Sequence, residues 1–207
     1  GLASGLVLGN LGFTHCCIED IGVLRSIPNI SIVVPSDPFE LFKVLNEAVN
    51  YENSVYIRLT AGSNTKVINS KDYKFKIGKA EQILPGDDVA IIGCGNILGN
   101  CLEAASVLQD KKIQCSVVNM HTIKPIDKEK IKDIARKKKL IVTVEEHNIF
   151  GGLGSSVAEV LAGERNNCKL VRVGINDFYS SGGSYEYLKN IYGLSVEKII
   201  ETVLKNL

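Results

Sequence analysis

"LIVTVEEHNIFGGLGSSVAEVLA", residues 140–162, runs from an unbroken apolar segment into Glu145, Glu146 and His147, then through Gly151, Gly152 and Gly154 into a stretch of helical periodicity. An apolar run of strand length that turns on glycines and reopens as an amphipathic helix is a β–α unit. The same succession recurs on both sides of it. Strands are expected at 89–94 (VAIIGC), 115–120 (CSVVNM), 140–146 (LIVTVEE) and 169–174 (KLVRVG), alternating with helices at about 97–109, 127–137 and 152–162 and a helical tail from about 185 to the end. Such alternation requires right-handed crossovers and a mainly parallel sheet covered on both faces, so residues 89–207 read as a three-layer α/β/α domain.

Upstream, residues 1–60 form a second block. A glycine-rich loop reaches to about residue 18, followed by a helix in "EDIGVLRSI" with Ile21, Leu24 and Ile27 on one face. "SIVVP" (31–35) is a strand stopped by Pro35. "DPFELFKVLNEAVN" is a helix with Asp37 as N-cap, Pro38 in the first turn and Glu40 behind it, and "VYIRLT" (55–60) is a closing strand. Residues 61–88 are polar with turn formers at both ends and read as a linker holding an edge strand near 76–83.

Composition narrows the partners. Twenty-four Lys+Arg against 23 Asp+Glu leave a net charge of +1, which excludes a global field toward nucleic acid or an anionic membrane. Six cysteines contain no C-x-x-C pair and three histidines have no zinc-ligand spacing, so reduced thiols and a cytoplasmic location are expected. No apolar run reaches the ~18–20 residues of a membrane span. The opening "GLASGLVLGN" lacks an initiator Met and a basic region, and reads as a chain that starts in the middle.

Five features could carry chemistry. "IIGCGNILG" (91–99) has the glycines of a dinucleotide turn but the spacing G-x-G-x-x-x-G, and no acidic residue follows about 20 positions on, which favours a plain tight turn. Glu145 or Glu146 with His147 could form an acid/base pair; the preferred alternative has the carboxylates satisfying loop amides. "ARKKKL" (135–140) places four basic residues at a helix C-terminus, where they complement the macrodipole. Arg58, near a strand end, suits either a phosphate or carboxylate ligand or an ordinary interface or surface salt bridge. His15, between Gly9, Gly12 and Thr14 and the acidic Glu19 and Asp20, is either a substrate ligand or a structurally satisfied histidine.

Taken together, "GNLGFTHCCIEDIGVLRSIPN" (9–29) with "PSD" (35–37), "VYIRL" (55–59), "VTVEEHNIFGGLGSSVAEVLA" (142–162) and "SSGGSYEYLKNIYGLSVEKII" (180–200) resemble the transketolase family of thiamine-diphosphate enzymes over essentially the whole chain. The resemblance implies the C-terminal part of a pyrimidine-binding α/β domain over 1–60, a linker over 61–88 and a transketolase C-terminal-like domain over 89–207. It implies two-carbon ketol transfer between sugar phosphates, or, by likeness to 1-deoxyxylulose-5-phosphate synthase, condensation of pyruvate with glyceraldehyde 3-phosphate. A non-catalytic assembly module is the reading from another class.

The family's pyrophosphate domain, which binds diphosphate and magnesium, and its activating glutamate have no counterpart among these residues. Thiamine diphosphate and magnesium are therefore expected in a complete assembly with an N-terminal subunit or region, with homodimer contacts through both domains and this chain inactive alone. By resemblance His15 is the histidine that hydrogen-bonds the donor sugar's oxygens, and Arg58 the arginine that grips the substrate phosphate. Glu19, Asp20 and Arg25 are read as loop-holding and interface residues. Leu11 replaces an aspartate that reads a sugar hydroxyl and Ala3 stands near a second phosphate-contacting histidine, so the implied sugar departs from the usual pentose phosphates.

Overall fold

The computed structural model describes residues 2–60, 67–68, 73–165 and 167–207. The first block opens with two 3-10 turns, Gly9–Leu11 and Phe13–His15, then α1 (Asp20–Arg25), β1 (Ile30–Val33), α2 (Pro38–Ala48) and β2 (Ser54–Ile57). Asp37 caps α2 as expected, its Oδ1 accepting from Glu40 N at 2.8 Å. Helix α1 stops at Arg25, so Ile27 lies beyond it and is 45% exposed while Ile21 is fully buried.

The second block supplies β3 (Glu81–Leu84), β4 (Val89–Gly93), α3 (Leu98–Asp110), β5 (Cys115–Asn119), β6 (Thr122–Lys124), α4 (Lys128–Lys137), β7 (Leu140–Asn148), α5 (Leu153–Ala162) and β8 (Lys169–Ile175). The tail is two helices, α6 (Tyr185–Ile191) and α7 (Val196–Asn206), where one was expected. Gly193, at φ +78°, turns the chain between them. Five strands pair in the order β3-β5-β4-β7-β8; every pairing is parallel except β3 on β5. The edge strand foreseen near 76–83 is β3, and it belongs to this sheet; residues 61–66 and 69–72 of the expected linker lie outside the described residues.

Strand β6 was not expected. It leaves its own domain and pairs antiparallel with β1, giving a three-stranded sheet β2-β1-β6 shared by the two blocks. Every residue of β4 and β5 is buried, as a parallel sheet covered by helices requires. Leu98, Cys101, Ala104, Ala105 and Leu108 seat α3 on one face, and Leu153 and Val157 seat α5 on the other. All six cysteines are free, with Cys94, Cys101 and Cys115 packed as apolar side chains. No helix among the described residues is long and apolar enough to cross a membrane.

Candidate functional site

His15 sits at the end of the second 3-10 turn, exposed, with Nδ1 3.0 Å from Thr14 Oγ1. Two three-residue turns cannot hold themselves, and the loop is moored from outside. Ser4 N and Oγ donate to Leu59 O at 3.0 Å, Gly5 N donates to Cys17 O at 2.7 Å, and Leu6 N donates to Glu146 Oε1 at 2.6 Å. Gly183 N donates to Gly9 O at 3.0 Å, and the Phe13 and Tyr179 rings lie 5.3 Å apart. Beside this loop a cavity of 340 Å³ is lined by Ile18, Glu19, Asn148, Asp177, Phe178 and Tyr179, at the C-terminal ends of β7 and β8. Its polar groups are two carboxylates and an amide, which suit hydroxyls and not a phosphate.

Arg58, expected at the substrate phosphate, lies in the interior and is 2% exposed. Its Nε donates to Asp20 Oδ2 at 2.8 Å, and one terminal nitrogen donates to Cys17 O at 2.9 Å and Glu146 O at 3.1 Å. Tyr56 OH also donates to Asp20 Oδ2 at 2.8 Å. The guanidinium and Tyr56 together hold the Asp20 carboxyl below its usual range despite burial. An external phosphate would have to displace Asp20 to reach this guanidinium.

The Glu145-Glu146-His147 run is buried throughout, because β7 continues past the apolar segment that defined it in the sequence. Glu145 accepts from Leu153 N at 2.6 Å and Gly154 N at 2.8 Å, capping α5, whose own N-cap is Gly152 and carries no side chain. Burial pushes its pKa up to about 7 against the pull of those two amides. Glu146 accepts from Leu6 N and from Tyr185 OH, the latter at 2.6 Å.

His147 donates from Nδ1 to Asn148 O at 2.7 Å and accepts at Nε2 from Gly22 N at 3.3 Å, which fixes the neutral tautomer. Burial first, and Arg58 second, push its pKa down to about 4. Its Nδ1 stands 3.9 Å from Glu145 Oε2, beyond hydrogen-bond reach; Glu145 serves two backbone amides, Glu146 a backbone amide and the Tyr185 hydroxyl, and the imidazole a loop.

The glycine turn at 93–99 opens between β4 and β7, the crevice where doubly wound sheets bind ligands. Here the first block fills it: a Cβ on Gly95 would stand 2.9 Å from Val34 Cγ1, and Arg58 lies beside Cys94. In the basic run at 136–139, Arg136 pairs with Glu164 at 3.9 Å, Lys137 with Asp133 at 2.7 Å and Lys138 with Asp87 at 3.3 Å. Among the described residues no group of His, Cys, Asp or Glu side chains could hold a metal ion. With both glycine turns closed, by Val34 and by Glu145, these residues do not fit a diphosphate and its magnesium.

The structure therefore separates His15 from Arg58, one at the surface and one within. Two positions were given no role from the sequence: Tyr185, which lies within the family-like segment 180–200 but was not singled out there, and Leu6, whose contribution is a backbone N–H that no side-chain pattern reveals.

Family models described as "Transketolase, pyrimidine binding domain" and "Transketolase, C-terminal domain" match residues 2–66 and 78–199. The chain is 37% identical over 205 residues to a subunit of the apulose-4-phosphate transketolase of Actinobacillus succinogenes, covering 99% of this chain and 66% of that one. It is 37% identical over 196 residues to 1-deoxy-D-xylulose-5-phosphate synthase of Heliobacterium modesticaldum, covering 94% of this chain and 30% of that one. A solved structure titled "Split gene transketolase, inactive beta4 tetramer" superposes with a TM-score of 0.88 at 35% identity, covering 100% of this chain and 64% of that one. The chain thus spans 66% of the length of the first of these relatives and less of the other two.

Proposed function

Since this chain belongs to the transketolase family, we propose that it is the substrate-positioning part of an enzyme that transfers a two-carbon ketol unit between sugar phosphates. The observation that carries the reading is the contrast among the three histidines. His121 and His147 are buried and held near pKa 4, whereas His15 stands exposed on a moored loop beside a cavity with hydroxyl-binding polar groups. An imidazole in that position can hydrogen-bond a donor sugar and stabilise charge that develops on its oxygen.

Thiamine diphosphate, when bound, supplies the carbanion chemistry. In this reading it is held, with magnesium, by a pyrophosphate domain on a partner chain or on a further part of the protein, because the described residues offer it no cradle. Relatives that are each one subunit of a transketolase support a partner chain. Arg58 acts in this reading as an internal clamp on Asp20, and the substrate phosphate is met by other groups. The substitution of Leu11 for the family's aspartate supports a sugar other than the usual pentose phosphates, and decarboxylating condensation of pyruvate is the reading that competes.

Replacing His15 by Ala in the complete assembly is expected to lower turnover by about a hundredfold or more, the size of a lost oxyanion-type donor, with thiamine diphosphate affinity unchanged. Assays with xylulose 5-phosphate plus ribose 5-phosphate, and separately with pyruvate plus glyceraldehyde 3-phosphate, distinguish the two reactions. Unchanged kinetics in the variant would remove His15 from the site.

A further inference from the structure

We propose that Glu146, with Tyr185 behind it, is a positioning residue for His15, so that the second block of the chain sets the geometry of the substrate site in the first. The inference rests on the substrate role given to His15 above.

The His15 loop has little order of its own. It turns at Gly5 and Gly12, both at positive φ, and passes through two 3-10 turns with no side-chain cap. Next to the backbone bonds of Ser4 and Gly5, a carboxylate 140 positions away moors it: Glu146 Oε1 takes the Leu6 N–H at 2.6 Å, and Leu6 is itself fully buried, so this bond holds the chain from the second block where it enters the loop. Glu146 is in turn held from behind by Tyr185 OH at 2.6 Å, and Lys189 Nζ stands 4.6 Å from the Tyr185 ring centroid.

Gly5 supports the same assignment. A Cβ there would fall 2.1 Å from Glu146 Oε1, so glycine is required for the carboxylate to come this close. Further along, the same region of the second block takes hold twice more, through Gly183 N on Gly9 O and Tyr179 against Phe13, two residues before His15. Ordinary packing needs no buried carboxylate here. Burial raises the Glu146 pKa while the Tyr185 hydroxyl and the Leu6 N–H pull it down; a carboxyl held by a second donor from behind is a fixed acceptor, and fixing the Leu6 N–H fixes where the loop begins.

The test uses the assembled enzyme with thiamine diphosphate and magnesium, and whichever of the two substrate pairs above the wild type turns over. Tyr185→Phe and Glu146→Gln are each expected to lower kcat/KM by about tenfold, within the range for a misplaced substrate group. They are expected to leave cofactor affinity unchanged and to speed amide exchange across residues 6–15. In a His15→Ala background the same substitutions are expected to cost nothing further, because a residue acting through His15 has nothing left to position. Losses that multiply in that background, or no loss at all in the wild-type background, overturn the positioning role. If His15→Ala is without effect, the substrate reading of His15 falls and this inference with it; if His15→Ala is impaired and the other variants are not, only the inference falls. Should Glu146→Gln not fold, Tyr185→Phe decides alone, since it keeps the buried carboxylate but releases it from behind, so that the group accepting the Leu6 N–H is no longer held.

Discussion

His121 and His147 are the side chains that acid should reach first. Each is buried, with Nδ1 of His121 2.8 Å from Thr122 Oγ1 and the Phe75 ring 4.4 Å away, and Nε2 of His147 turned toward Gly22 N and 3.9 Å from Asp20 Oδ1. Both pKa values fall from 6.5 to about 4, mainly through burial. The unfolded chain therefore takes up protons at these positions between pH 6.5 and 4 while the folded chain does not. Their contribution to stability is complete above pH 6.5 and is lost as pH falls toward 4. Glu145 acts in the opposite sense: with its folded pKa raised to about 7, its contribution shrinks as pH rises from 4.5 to 7. His147→Gln, which keeps an acceptor for Gly22, is expected to make the pH dependence of unfolding free energy between pH 4.5 and 6 shallower by one proton, about 1.4 kcal/mol per pH unit. Urea titrations at a series of pH values measure it, and an unchanged slope would mean that His147 titrates normally.

At the scale of elements, α5 shows how a strand can cap a helix. Its N-cap is Gly152, and the two amides that a Ser or Asp would ordinarily satisfy go to Glu145 at the end of β7. Glu145→Ala is expected to cost about 2 kcal/mol, the upper end for loss of an N-cap, and amide exchange at Leu153 and Gly154 should speed up before that of the rest of α5. The sequence made the β7–α5 unit legible because its apolar run and its glycines are contiguous, and the alternation from 89 to 175 placed four strands within about two residues. It also showed the Asp37 cap, whose signal is local. Strand β6 was illegible: "TIK" has three residues, no periodicity to read, and a partner in β1 some 90 positions earlier. Arg58 was ambiguous for the same kind of reason. Residue type marks a strand-end arginine as a phosphate ligand or an ion-pair partner equally, and only the fold brings Asp20 to it. His15 could be singled out from its setting among glycines, but not the distant carboxylate that holds its loop.

For the whole molecule, the two blocks are joined by bonds that neither could make alone. Strand β6 extends the first block's sheet, Lys124 Nζ reaches back to Arg25 O at 2.9 Å, and Arg58 spans Asp20 and Glu146 O. A single cooperative unfolding transition is expected, with calorimetric and van't Hoff enthalpies equal; two resolved transitions would show blocks that fold independently. Arg58→Met leaves Asp20 buried without its cation and is expected to cost about 3–5 kcal/mol, much of it recovered when Asp20→Asn is added. A phosphate-gripping arginine would behave otherwise, raising KM for the phosphorylated substrate with stability unaffected.

Val34 over the Gly95 turn makes the two blocks specific to each other. Gly95 adopts φ +68° and leaves no room for a Cβ against Val34 Cγ1. Residues 34 and 95 are thus a lock and its key shared between domains. In chimaeras that graft one block onto a homologue's other block, the two positions should travel as a pair, and mismatched pairs should assemble poorly even where every residue around His15 is kept.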